Sequence, residues 1–419
     1  MHGDFSRLTF DPSLHYSRVL VQQGRAFVDA EPNEQNAILL HLMRGLARDI
    51  IGAHGIPTPI ASGGGFRIEP PAAGAARDFS IQAGRYYVDG IPCENEELTS
   101  YFTQPDYFPD PADNPLPVGA FLLFLDVWER HITYFDRALL RETSLGGPDG
   151  ASRAKVVWQV KAVEDPTGIL SATPLPDEIA MLVEKRAPDE RPLLRARVKP
   201  GEASTTPCIT PPDGGYRGRE NQLYRVEVHT GGVAAPPGVI GSAAAGIATF
   251  KWSRDNGSIV FPVTQVTANE VTVEHLGLDA TRTLIPGDWV ELLDNVAVLH
   301  RRPGVLARVL EVSESRRVTL VPAPGQTLVG ATAADRNPFL RRWDHRGASP
   351  VAGALMLSES ASPNAGWLDL EDGVQVQFQP RAPNQQYVTG DFWTIVARAE
   401  TGNIEWPREV GAPGTPAAR

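Results

Sequence analysis

The side chains best suited to chemistry in this 419-residue sequence are carboxylates, and they fall into three groups. Asp126 and Glu129 lie in LDVWERH, Asp369, Glu371 and Asp372 in LDLEDGVQV, and Asp106, Asp110 and Asp113 in PDYFPDPADNPL. Two carboxylates at the right separation can cleave a glycosidic bond, one protonating the leaving oxygen while the other attacks or activates water. Asp126 and Glu129 are three apart on a strand-like run. They therefore face opposite sides and share no substrate unless a bulge intervenes. The second group precedes Gly373 and reads as a hairpin turn. The third offers the oxygen ligands that Ca²⁺ takes, but its spacing misses the EF-hand pattern. Acids of this kind routinely cap turns, and no catalytic or metal-binding residue is assigned from them.

Other chemistries find less. Nine histidines are scattered without an H-x-x-x-H, H-x-H or H-E-x-x-H arrangement, so no local zinc site is expected. Cys93 and Cys208 lie far apart and form neither a disulfide framework nor a C-x-x-C site. GGGFR (63–67) and LGGPDGASR (145–153) lack the Lys-Ser/Thr of a phosphate loop, and no cofactor is expected. The densest polar-aromatic cluster is FKWSRDNGSIVF, where Lys251, Arg254, Asp255 and Asn256 surround Trp252. Such a set could hold a sugar by stacking and hydrogen bonds. The favoured reading is plainer: a hairpin turn at Asp255-Asn256-Gly257, with Trp252 in the core.

Bulk properties narrow the function classes. Thirty-nine Lys and Arg against fifty Asp and Glu leave a net charge of −11, which argues against nucleic acid or anionic lipid as partner. No run approaches the roughly 20 apolar residues that span a bilayer. The opening MHGDFSRLTF has an early acid and no continuous apolar core. It is unlike a secretory signal, so synthesis and folding in the cytosol are expected. Thirty-nine Gly and thirty-seven Pro punctuate many short Val-, Thr- and aromatic-rich runs, the mark of a mainly β, multidomain chain with long loops.

The elements follow from this punctuation. Residues 4–10 and 19–28 read as strands, the latter turning at Gly24-Arg25, and a long helix follows to Gly52. Its apolar stripe is Ile38, Leu39, Leu42, Met43, Leu46 and Ile50. Residues 1–55 thus form a strand-turn-strand-helix element, and 56–76 a linker or irregular loop. A first β domain spans 77–165, a Pro-rich connection with a short helix 166–215, and a second β domain, a small barrel or sandwich, 216–345. A C-terminal β region covers 346–406 and a flexible tail 407–419. PGDWVELL and TGDFWTIV repeat one device, a Gly-Asp turn with a Trp heading the next strand.

Several phrases also follow one another in a familiar order. GDFSRLTFDPSLHYSRVLVQQGRAFVDAEPNEQ, GRYYVDGIPCENE, LDVWERHITYFDRALLRETSLGGPDGASRAKVVWQVK, NQLYRVEVHTGG, FKWSRDNGSIV, PGDWVEL, LEDGVQVQF and GDFWTIVARAETGNIEWP span most of the chain. Together they resemble an uncharacterised bacterial family encoded beside phage-tail-like contractile injection systems. The opening is more loosely similar to attachment segments of phage tail fibre and baseplate proteins, with Pro32 where an aromatic is expected. The resemblance carries no catalytic residue. It implies a non-enzymatic, fibre- or baseplate-associated component of such a particle, in contact with other particle proteins. The helix stripe is wider than a small hairpin covers, so it docks on the following β domain or on copies of itself. With the resemblance, a homo-oligomer is expected, a trimer being favoured, with residues 1–55 as anchor and the stripe as assembly surface. A carbohydrate-binding or polysaccharide-cleaving module on the same particle, facing a surface glycan, is the alternative.

Overall fold

Apolar residues three and four apart from Ile38 to Ile50 suit a helix, and α1 forms over Ala30–Ile51. Gly52 ends it at φ 95°, with its N–H bonded to the Arg48 carbonyl, a conformation that Gly adopts without a Cβ penalty. Pro32 sits in the first turn, where no N–H is needed. The strands expected at 4–10 and 19–28 do not form. Those residues carry no strand, and only the turn at Gly24 (φ 72°) is present. An isolated strand pair is marginal in water, and here side chains hold the segment along the helix instead. Thr9 Oγ1 bonds Glu34, the Val19 N–H donates to Gln35 Oε1 at 2.9 Å, and Phe10 lies 5.6 Å from the His41 ring.

The computed structural model describes residues 1–57, 65–70, 78–107, 116–117, 121–145, 149–164, 191–201, 214–236, 246–277, 279–328, 336–346, 353–380, 385–406 and 413–414. The helix expected near 174–186 therefore lies outside the described residues, as do Asp110, Asp113 and most of the tail. The chain divides into two units, one built from Arg7–Val183 and the other from His2–Ser6 with Glu184–Ala418.

In the first unit, β1 (His54–Gly55), β4 (Gly84–Val88) and β5 (Ile91–Asn95) make one small sheet. β2 (Ile68–Glu69), β3 (Ser80–Ile81) and β6 (Thr99–Ser100) make another. β7 (Phe121–Ile132) and β8 (Arg153–Glu164) pair along their whole length without a bulge. Trp158, Phe66, Ile81, Cys93 and Tyr101 share one core, with Phe66 edge-on to Trp158 at 4.7 Å. The expected turn at Asp89-Gly90 is present, and its glycine is required. A Cβ on Gly90 (φ 75°) would stand 2.2 Å from the Arg44 carbonyl of α1. The helix docks through Ile38, which is 1% exposed, and through Arg44 and Arg48, which pair with Glu129 at 2.6 Å and Asp89 at 3.1 Å.

The second unit is a β-sandwich carrying an inserted barrel. One sheet runs β18 (Leu355–Met356), β11 (Thr249–Ser253), β10 (Gln222–Thr230), β21 (Phe392–Arg398) and β22 (Asn403–Glu405). The other runs β19 (Leu368–Asp369), β20 (Val374–Gln379), β9 (Leu193–Val198) and β23 (Pro413–Gly414). Tyr224, Val226, Phe250 and Trp393 from the first sheet pack on Leu194, Val376 and Phe378 from the second. Between β11 and β18 the chain makes β12 (Val260–Val266), β13 (Glu270–Val273), β14 (Trp289–Leu293), a short helix α2 (Asn295–Leu299), β15 (Val305–Val312), β16 (Arg317–Pro322) and β17 (Phe339–Trp343). The six strands close in the order β12-β13-β16-β15-β14-β17 around Phe261, Val271, Val290, Val309 and Leu340.

This corrects the expected boundaries at 216–345 and 346–406. Strands from both segments, joined by residues 193–198 from the expected connection, build one sandwich. The barrel occupies only 260–343, the later part of the first of these two segments. Sequence contiguity misled because the sandwich strands beside the insertion pair with partners far along the chain.

Candidate functional site

Strand β10 reads QLYRVEVHT, and from Tyr224 onward it alternates, which gives a sheet one apolar and one polar face. Tyr224, Val226 and Val228 fill the sandwich core. Arg225, Glu227 and His229 point the other way, yet they are only 2%, 6% and 2% exposed. Register sets Lys251 of β11 opposite Glu227 and Ser253 opposite Arg225. The barrel covers this charged face with Glu291 from β14 and Arg341 and Trp343 from β17. His2 completes the ring, its Nε2 lying 2.9 Å from Glu227 and 3.2 Å from Arg341.

Two carboxylates share one ammonium at its centre. Lys251 Nζ donates to Glu291 Oε2 at 2.5 Å and lies 3.4 Å from Glu227 Oε1. Glu291 also accepts from Trp343 Nε1 at 2.9 Å and the Gly304 N–H at 3.0 Å, with His229 Nδ1 at 3.3 Å. Glu227 Oε2 accepts from Arg225 Nε at 2.6 Å and meets His2 Nε2 at 2.9 Å. The cations also rest on aromatic faces. Arg225 stands 3.6 Å over Phe392 and Lys251 4.4 Å over Trp343. Asn256 Nδ2 donates to the Gly3 carbonyl at 3.0 Å, and Arg282 pairs with Asp4 at 2.9 Å, so residues 2–4 are tied to this ring.

A second ring borders the first. Arg254 Nη2 donates to Glu371 at 2.8 Å, its backbone N–H donates to Asp344 at 3.0 Å, and Tyr224 Oη donates to Glu371 at 3.2 Å. Arg342 faces Asp344 at 3.4 Å and Asp255 at 3.7 Å.

Burial and pairing set the proton states. Burial alone would raise the Glu227 carboxyl, but Arg225, His2 and Lys251 hold it well below the usual range. Glu291 is likewise held low, with burial outweighed by Lys251 and His229. Burial, then Lys251, depresses His229, and burial brings His345 to about 4. Burial depresses His2 as well, helped by Arg225 and Arg341. The inner ring therefore holds two carboxylates against Arg225 and Lys251 while its imidazoles stay neutral at pH 7. Asp255 behaves oppositely, with burial and then Asp344 pushing it up to about 6.

Residues singled out from sequence divide clearly. Trp252 is 2%, Lys251 3% and Asn256 0% exposed, so no indole face is offered to a sugar. The turn itself forms, with Asn256 and Gly257 at positive φ. Arg254 and Asp255 do not pair locally; each reaches a partner on another element. Asp126 and Glu129, on opposite faces, pair with Lys161 and Arg44, and Asp106 pairs with Lys155. Asp372 (φ 47°) and Gly373 make the expected turn. Among the described residues no group of His, Cys, Asp or Glu is arranged to hold a metal. Of the helix stripe, Ile38 turns inward, while Leu39, Leu42, Met43, Leu46 and Ile50 are 48%, 51%, 67%, 62% and 75% exposed.

The inner ring can lock barrel to sandwich, and its acids are committed to fixed cations. The sequence reading missed Arg225, Glu227 and Glu291 because a charge on every second residue reads as a solvent face. The available signal was the run Arg225-Val226-Glu227-Val228-His229 beside a second strand that carries a lysine between aromatics. No helix is long and apolar enough to cross a membrane among the described residues. Comparison with curated proteins and with solved structures finds no match. Sequence comparison does place the whole length: matching over residues 1–172 and 171–419, the chain belongs to the family of unknown function DUF6519.

Proposed function

We propose that the chain is a non-enzymatic structural component, fibre- or baseplate-associated, of a phage-tail-like contractile injection particle. Residues 1–55 are its anchor and the β modules are what it displays. One observation carries the anchoring part. Of eighteen large hydrophobic side chains exposed among the described residues, thirteen fall between Leu8 and Ile50. Concentrated apolar exposure of this kind marks an interaction surface. The particle class is supported by the resemblance of the ordered phrases that run from GDFSRLTF to GNIEWP. A glycan-binding role at Trp252 draws no comparable support, because that indole is interior.

The test is gradient fractionation of cells that make the particle, with the full chain and with a Leu39→Asp/Leu46→Asp variant. The wild-type chain is expected to sediment with sheath and tube, and the variant to stay at the top. Wild-type chain at the top of the gradient, or turnover of a polysaccharide by the purified protein, overturns the proposal.

A further inference from the structure

We infer that residues 2–4 are a latch across the joint between barrel and sandwich, and that acid releases it through His2. This device is independent of the anchoring role proposed above. Three elements of the second unit make its seat. Strand β10 presents Glu227, whose Oε2 lies 2.9 Å from His2 Nε2. Strand β17 presents Arg341, with Nη1 3.2 Å from the same imidazole nitrogen, and Trp343, edge-on to the ring at 6.4 Å. The turn after β11 closes the third side. A Cβ on Gly257 (φ 63°) would stand 2.7 Å from His2 Cδ2, so a glycine is what leaves room for the ring. Asn256 fixes the next residue by donating to the Gly3 carbonyl at 3.0 Å. Arg282, in the loop between β13 and β14, holds Asp4 at the rim at 2.9 Å.

The charges around His2 suit this seat to a neutral imidazole. Glu227 already serves two fixed cations, Arg225 Nε at 2.6 Å on the same Oε2 and Lys251 Nζ at 3.4 Å on Oε1. A protonated His2 adds a third cation to that one carboxylate, with Arg341 directly beside it. Burial, then Arg225 and Arg341, hold the imidazole well below its ordinary range against the pull of Glu227. In the released segment the same ring takes its proton near 6.5. The released form therefore binds more protons than the seated one as pH falls. The seat weakens by a factor approaching ten for each pH unit below about 6.5. The His2 side chain keeps 24% exposure, so a proton reaches it without prior opening. At the rim, Arg282 faces Asp4 and, at 4.0 Å, Asp279. Asp255, raised to about 6 by burial and Asp344, faces Arg342 and Arg254 in the second ring.

The experiment is limited papain digestion of the full chain at pH 7.5 and pH 5. Papain cuts one residue beyond an aromatic, here after Ser6, once the segment leaves its seat. The rate of losing residues 1–6 is read by mass spectrometry. Dividing it by the rate for the free peptide MHGDFSRLTF at the same pH cancels the protease's own pH dependence and gives the open fraction. For wild type this ratio is expected to rise about thirtyfold between the two pH values. His2→Gln keeps a donor for Glu227 but takes no proton, and its ratio is expected to stay flat. Arg341→Gln removes one repelling cation, and its rise is expected to be smaller than that of wild type. A flat wild-type ratio, a His2→Gln ratio that climbs as steeply as wild type, or an undiminished rise in Arg341→Gln overturns the inference. General loosening of the second unit in acid, through Asp255 or any other group, gives the second of these results, because it does not need His2.

Discussion

Lys251→Met tests whether the inner ring holds the second unit together. The substitution keeps most of the buried stem and removes the charge between Glu227 and Glu291, which are 6% and 0% exposed. Breaking a buried ion pair by removing one partner costs about 3–5 kcal/mol. The lower end applies here, because Glu291 keeps its bonds from Trp343 and Gly304 and Glu227 keeps Arg225. Glu291→Gln removes the opposite charge but leaves Lys251 facing Glu227 at 3.4 Å, so a loss of about 2 kcal/mol, typical of a charged hydrogen bond, is expected. In the double variant neither orphaned charge remains at that pair. Its loss should fall short of the sum of the singles by about 0.5–3 kcal/mol, the range for residues in contact. Urea unfolding followed by tryptophan fluorescence reads this. Six of the eight tryptophans, Trp252 and Trp343 among them, lie in the second unit. A neutral Lys251→Met, or additive single effects, would refute the view that these charges work as one group.

Other expectations follow from single sites. His345 takes its proton near pH 6.5 when unfolded and only at about 4 when folded. The unfolded chain therefore binds the extra proton between those values, so stability is lost as pH falls from about 6.5 to 4, by up to about 3 kcal/mol. Asp255, raised to about 6, has the opposite sign over much of this window. His345→Gln should accordingly flatten the decline of Tm with acid, and an unchanged slope would refute the assignment. Ile38→Ala, at a site 1% exposed, should cost about 2–5 kcal/mol in denaturant unfolding. Leu46→Ala, at 62% exposure, should stay within about 0.5 kcal/mol in dilute, unassociated protein. Gly90→Ala forces a Cβ onto the Arg44 carbonyl and should cost more than about 1 kcal/mol, detectable as faster amide exchange along α1.

How much of this was legible in the sequence depended on the range of the interaction. Local chemistry read well. The Gly52 stop, the Asp89-Gly90 and Asp372-Gly373 turns, and the Gly-Asp turns before Trp289 and Phe392 all formed. In both of these last turns the aspartate accepts a backbone N–H, Ile285 to Asp288 at 3.0 Å and Val388 to Asp391 at 3.2 Å. The mainly β class was equally visible in the punctuation. Pairings between distant segments were not. Nothing near Arg225 announces Glu291, and nothing in FKWSRDNG says that the face carrying Lys251 will be roofed by a barrel. The opening strands failed for a related reason: Val19 and Thr9 read as β formers, but Glu34 and Gln35 on the helix took their hydrogen bonds.

Placing the barrel inside the sandwich governs the order of events during synthesis. Strand β10 is complete at Thr230, whereas its neighbour β21 begins at Phe392. At about 5–20 residues per second, the ribosome takes roughly 10–30 s to supply that neighbour. The barrel, whose strands meet over shorter loops, can close within that interval. Meanwhile the nascent β10–β11 ribbon has an open edge, which is hazardous for any waiting strand. Its Arg, Glu, His and Lys side chains make that delay survivable: the charges later sealed in the finished protein first keep the unfinished one in water.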